Sequence, residues 1–267
     1  MIVLLSPSKT QSFREPVRAS RSSEPQFLAE AAELMERLRE KSPAELQELQ
    51  KLSEELAKVT GDRHQQWQSD HSTPTSGSVA QAVYAYTGEV FRGLKAAELS
   101  SGDITYAQEH LCILSGLYGL LRPLDLIRPY RLEMATPLAT EHAASLYEFW
   151  GDKPTTALCD ALSPGTGRKR HRTQDVVNLA SQEYARVIQP AGLPGRIITP
   201  QFKDRHKGEY KTVAIYAKNA RGRMAHWLIK NRIDAPKDIM DFHEDGYLLH
   251  TDLSTPDKPV FVRERTP

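Results

Sequence analysis

The hydrophobic pattern of the 267-residue chain alternates short apolar runs with helical-period segments. Ile2–Leu5 is an apolar run stopped by Ser6-Pro7, the mark of a short buried strand. Residues 26–40 place Phe27, Ala31, Leu34, Met35 and Leu38 at helical spacing. The next segment opens with Ser42, Pro43 and Glu45, a capping box that predicts a helix to about Lys58, closed by Gly61-Asp62. Residues 62–77 are polar and loop-like. Helix is expected over about 78–87 and again near 89–94. His110–Leu114 reads as a strand, after which Pro123 and Pro129 exclude one continuous helix. Residues 145–162 predict two helical pieces broken near Gly151. "DVVNLA" (175–180), "RIITPQF" and "YKTVAIYA" (to Ala217) read as strands, the last two as a hairpin, and the tail as two short strands around a turn. The alternation of elements indicates a mixed α/β chain, without repeats, low-complexity linkers or a visible domain boundary.

Residues 216–232, "YAKNARGRMAHWLIKNR", are the most informative stretch. At 100° per residue, Ala217, Ala220, Met224, Trp227 and Leu228 fall within a band about 100° wide, the width of a buried stripe. Asn219 is the expected N-cap, and Gly222 the place where the first turn admits a close neighbour. Lys218 and Arg221 then stand at a helix N-terminus, where cations oppose the macrodipole. That arrangement predicts an anion held by the first turn.

Composition narrows the classes. No window approaches 18 consecutive apolar residues, so no transmembrane helix is expected, and the start reads as a first strand and not a signal peptide. Two cysteines, Cys112 and Cys159, and nine scattered histidines form no metal-ligand spacing, so neither a metal nor a cofactor is expected. Net charge is +1, yet residues 201–232 hold nine Lys/Arg against two Asp/Glu, and residues 21–60 hold six against nine. Such segregation makes a basic face on a near-neutral protein.

Three predicted strands run into polar sets: "SPSKT" (6–10), "SQEY" (181–184) and "KNARGR" (218–223). Ligands bind outside the carboxyl ends of strands in open α/β sheets. Ser6, Lys9, Ser181, Lys218, Arg221 and Arg223 are therefore expected around one concavity. Arg122, Arg128 and Arg131 of "LRPLDLIRPYRLE" form a further donor set suited to phosphate, or else cap turns by pairing with Asp125 and Glu133. Trp227, Tyr130 and Tyr184 are placed to stack unpaired bases. "SPSKT" lacks the spacing of a Walker A loop, and Ser181 sits in no nucleophile elbow. Two functions fit: DNA held by phosphate contacts with weak sequence preference, or an enzyme acting on a small anionic or nucleobase-containing substrate, with Lys9 or Lys218 as nucleophile or base and Glu183 or Glu133 as partner.

"LSPSKT", "LSGLYGLLRPLDLIRPYRLEM" (114–134), "LYEFWGD" (146–152), "VNLASQEY" (177–184) and "IYAKNARGRMAHWLIKNR" (215–232) together resemble the peroxide stress protein YaaA family, in order and across nearly the whole chain. The resemblance implies one compact mixed α+β domain over 1–267, with a central mixed sheet and surrounding helices, outside the common superfolds. It implies a cytoplasmic protein of the hydrogen peroxide response that binds DNA in a basic cleft and limits iron-dependent damage. It also implies a helix-hairpin-helix element, here around 41–64.

Overall fold

The structure, a computed structural model, describes residues 1–13, 21–70, 78–163, 173–206 and 208–264. The basic run 168–172 and most of the 163–174 loop lie outside the described residues, as do residues 71–77 of the polar stretch.

In chain order the strands are β1 (Ile2–Leu5), β2 (Ala80–Gln81), β3 (Leu111–Ser115), β4 (Gly119–Leu121), β5 (Leu126–Ile127), β6 (Val176–Asn178), β7 (Ile197–Ile198), β8 (Gln201–His206), β9 (Glu209–Lys211), β10 (Leu248–Leu249) and β11 (Val260–Arg263). The helices are α1 (Leu28–Arg39), α2 (Pro43–Gln50), α3 (Glu54–Gln66), α4 (Ala82–Ala85), α5 (Glu89–Leu94), α6 (Ser101–His110), α7 (Leu146–Trp150), α8 (Lys153–Leu162), α9 (Gln182–Ala185) and α10 (Ala214–Lys230). The fold is mixed α+β, as the sequence pattern indicates.

β1 has four buried residues and no polar face, which suits only an interior strand. It takes the centre of a five-stranded sheet ordered β4-β3-β1-β6-β7. β3, β1, β6 and β7 run parallel to one another, and only β4, at one edge, is antiparallel. A second sheet, β10-β11-β8-β9, and a two-stranded pair β2-β5 complete the strands. Buried apolar side chains form one cluster that reaches from Met1 and Leu34 to Phe202 and Phe261. No described helix is long and apolar enough to cross a membrane.

Several elements differ from the sequence pattern: of the helix expected over 78–87, Ala80–Gln81 form β2 and only Ala82–Ala85 are helical. The capping box of Ser42 and Glu45 is present, but the helix it starts ends at Gln50. Lys51 adopts the left-handed conformation with φ 53°, and α3 restarts after the Ser53 cap and passes through Gly61 to Gln66. The predicted single helix is thus a tight helical pair. Lysine carries a steric penalty at Lys51 that glycine lacks. Lys51→Gly is expected to raise stability by roughly 0.5 kcal/mol, net of the added unfolded-chain entropy, read as a higher urea midpoint. α6 was not expected; its capping box joins Ser100 to Asp103. Finally, residues 214–217 are helical. The hairpin strand stops at Lys211, and α10 starts at Ala214, five residues before Asn219.

Candidate functional site

Because β1, β3 and β6 are parallel neighbours, their carboxyl ends share one edge of the sheet. Ser6 follows β1 and Ser181 follows β6 by three residues, and the two meet. The Ser181 backbone N–H donates to Ser6 Oγ at 2.8 Å, and the Ser6 hydroxyl donates to Ser181 Oγ at 3.3 Å. β3 ends in Ser115, whose Oγ accepts from the Tyr118 N–H at 3.0 Å and lies 2.8 Å from the Tyr130 hydroxyl. Tyr130 in turn meets Tyr86, hydroxyl to hydroxyl, at 2.6 Å. The Tyr118 hydroxyl accepts from the Trp67 indole and the Arg128 backbone N–H. Burial pushes the Tyr130 phenol up to about 12 and the Tyr86 phenol well above its ordinary value. These hydroxyls therefore stay protonated and link the strand-end loops as neutral hydrogen-bond partners.

The charged residues of this edge also join. Lys9 pairs with Glu133 at 2.6 Å, and Arg131 reaches the same carboxylate at 3.5 Å. Glu183 accepts the Ala135 N–H through Oε1, and its carbonyl accepts from the Tyr147 hydroxyl. The space left among Pro7, Lys9, Arg131, Glu133 and Tyr184 is about 10 Å3, room for at most a water molecule. Ser6 and Ser181 thus lie together, and Lys9 and Arg131 share Glu133. Both groups spend their polar atoms largely on one another.

α10 reaches the same edge by another route. The Met1 amine pairs with Asp234, just beyond the helix. Towards its other end, the Asn219 amide donates to the Glu89 carbonyl at 3.5 Å, and Gly88 beside it lies against the Ser8 side chain. α10 therefore runs antiparallel to β1, with its first turns level with the Ser6–Thr10 loop. Contact with α5 is backbone to backbone. A Cβ on Gly222 would lie 2.7 Å from the Leu94 nitrogen, and one on Gly93 2.9 Å from the Arg223 nitrogen. Gly222 does admit a close neighbour, as its sequence context suggests, but the neighbour is a helix.

The early helix start changes the electrostatics of this segment. Lys218 and Arg221 occupy the second turn, so neither cation stands at the N-terminus, and Asn219 caps nothing. Its side chain instead binds Glu89 and accepts from Arg223 Nε at 2.8 Å. Arg223 also lies 3.7 Å from Asp245. Arg221 projects about 40° around the helix from Ala217, on the buried stripe with Leu228 and Ala225. It is half-buried and makes no hydrogen bond or ion pair with any described residue. Burial lowers its pKa from the ordinary arginine value. Lys218 is exposed and likewise uncommitted.

The arginines of 122–131 do not converge. Arg122 pairs with Asp125 at 3.0 Å and donates to the Glu24 carbonyl. Arg128 is buried and donates to the Asp70 carbonyl through Nε and Nη2. Only Arg131 reaches the strand-end network. Tyr130, Tyr184 and Trp227 are each at most 9% exposed, so no ring of the three offers a free face for stacking. Sequence spacing gave no sign of Tyr86, Ser115 or Gln11, whose Oε1 accepts the Tyr130 N–H; only the topology assembles them. Among the described residues, no group of three or more His, Cys, Asp or Glu is placed to hold a metal ion.

A mixed α+β protein whose parallel strands end in a closed polar network, flanked by uncommitted cations, defines the class. The motifs that build this edge are those of one family. The chain belongs to the peroxide stress protein YaaA family, whose model matches residues 1–253.

Proposed function

We propose that this member of a peroxide stress family binds DNA through its phosphate backbone and thereby limits iron-dependent oxidative damage in the cytoplasm. The observation that carries the reading is Arg221, a desolvated guanidinium without a counter-charge among the described residues. A buried unpaired charge is costly, and a phosphate supplies the missing anion with a matching fork geometry. Lys218 adds a second free cation one turn away. The α2–α3 pair is a poorer phosphate site. The N-terminus of α3 is capped by Ser53 and carries Glu54 and Glu55, which already meet the helix dipole and repel phosphate. We also take 1–267 as one domain. β11 lies beyond residue 253, yet it sits inside the second sheet between β10 and β8.

Catalysis on a small anionic substrate has less support. Lys9 is paired with Glu133 and its side chain is 62% exposed; Lys218 is also exposed. Neither has the desolvated setting that makes lysine a nucleophile at neutral pH.

Titration of two unrelated duplexes across a salt series tests the proposal. Expected are similar affinities and a log–log slope of about −0.9 per phosphate contact; a flat salt response would exclude it. Arg221→Gln is expected to weaken duplex binding while leaving the thermal midpoint unchanged or higher. The reverse, lost stability with intact binding, would make Arg221 a structural residue.

A further inference from the structure

A second concavity, about 590 Å3, opens between the chain after β1 and the C-terminal end of α3. That volume lies in the range of small-ligand sites. Among the described residues its lining includes Arg63, Arg128, Gln11, Phe13, Trp67 and Pro129, with no carboxylate.

The charged groups lining it are both cations, beside the neutral polar side chains of Gln11, Ser12, Gln66 and Ser78. Arg128 is 7% exposed, and its Nε and Nη2 are held by the neutral Asp70 carbonyl at 3.2 and 2.7 Å. Its Nη1 has no acceptor among the described residues. Arg63 is half-buried and makes no hydrogen bond or ion pair with them either. Gln11 is oriented by its surroundings: because its Oε1 accepts the Tyr130 backbone N–H at 3.2 Å, the amide NH2 is the end left over. Two guanidinium groups and an amide donor therefore line one cavity, with no carboxylate among its described lining residues.

The remaining walls are flat and apolar. Trp67 backs the cavity from the core: it is 3% exposed, and its indole N–H is spent on the Tyr118 hydroxyl at 2.9 Å. Phe13 is partly buried against the core, and half-buried Pro129 adds a second surface facing the cavity. Forked cations suit a phosphate with several oxygens better than a single point acceptor, and the apolar walls suit a planar ring.

We propose that this cavity binds a phosphorylated planar heterocycle, a nucleoside monophosphate in class, with the phosphate on Arg63 and Arg128 and the ring against the half-buried Phe13 and Pro129. The site is separate from the α10 cations and does not depend on the DNA reading.

Calorimetric titration of the full chain with AMP, adenosine and inorganic phosphate tests it. AMP is expected to saturate one site, with adenosine and phosphate each about tenfold weaker or worse, since each supplies half of the recognition. Arg63→Gln, on a half-buried position outside the core, is expected to reduce AMP affinity about tenfold with an unchanged thermal midpoint. AMP binding no tighter than adenosine would overturn the proposal, as would AMP affinity indifferent to Arg63→Gln. If that variant fails to fold, the comparison of the three probes on the unaltered chain decides. Duplex binding without AMP binding would overturn this site alone and leave the DNA reading intact.

Discussion

Gly222→Ala is expected to destabilise the protein by on the order of 3 kcal/mol, although alanine is the better helix former by about 1 kcal/mol. The reason is geometric. The new Cβ would lie 2.7 Å from the Leu94 nitrogen and closer still to the Val90 carbonyl oxygen. Both are backbone atoms of α5 or its immediate end, so no side chain can rotate away. The reciprocal contact at Gly93 meets the backbone of Asn219 and Arg223, and α10 cannot shift without disturbing it. Overpacking must therefore separate two helices. The effect should reach the functional edge as well. α5 begins beside Gly88, which lies against Ser8, and the Asn219–Glu89 bond is part of the same contact. Chemical denaturation should show a lower midpoint at unchanged slope, and duplex affinity should fall in the protein that remains folded. A midpoint equal to the unaltered chain's would mean that the two helices are not locked at this crossing.

The legibility of the chain follows from which interactions fix each element. β1 and β6 could be read because a short apolar run that ends in serine has few alternatives. The meeting of Ser6 with Ser181 then follows from parallel neighbours in one sheet. The start of α10 could not be read that way. "TVAIYA" has the β-branched, alternating look of a strand, and Val213 supplies no side-chain cap. The helix extends back through these residues from the segment that packs on α5, and this context outweighs the local preference. Asn219 looked like a cap because Asn is common there, yet its amide serves α5 from within the helix. Lys51 gives no signal for the break between α2 and α3, since lysine is unusual in the left-handed region. The cavity of Gln11, Arg63 and Arg128 joins three distant stretches, and no local pattern connects them. The basic excess of 201–232 is real, but Arg205, Lys211 and Arg223 have acidic partners at 3.0, 2.8 and 3.7 Å, so it is Lys218 and Arg221 that carry the argument.

His64 sets the second large effect, a loss of stability below neutral pH. The side chain is fully buried on α3, beside the Arg131 backbone, whose carbonyl accepts from Gln50 Nε2 at 3.0 Å. Neither ring nitrogen has a partner of good hydrogen-bond geometry among the described residues, although the Arg131 backbone lies close enough to oppose the shift in part. Burial lowers its pKa from 6.5 to about 4, and the nearby Arg39 and Arg63 charges act in the same direction. The unfolded chain takes up a proton as pH falls through 6.5, whereas the folded protein resists until near 4. Stability is therefore fully present above 6.5 and declines through the window down to 4, by at most about 1.4 kcal/mol per pH unit and roughly 3 kcal/mol in total. Between pH 7 and pH 5 this one group should cost about 2 kcal/mol. His64→Leu removes the titration and the unpaired polar atoms together. It is expected to raise stability at pH 7 by about 1 kcal/mol and to flatten the decline to pH 5 by about 2 kcal/mol. Urea midpoints of both proteins at pH 7 and pH 5 provide the check. Equal losses in the two proteins would show that His64 accepts its proton without unfolding, and that the packing of α3 against Arg131 is looser than the buried ring implies.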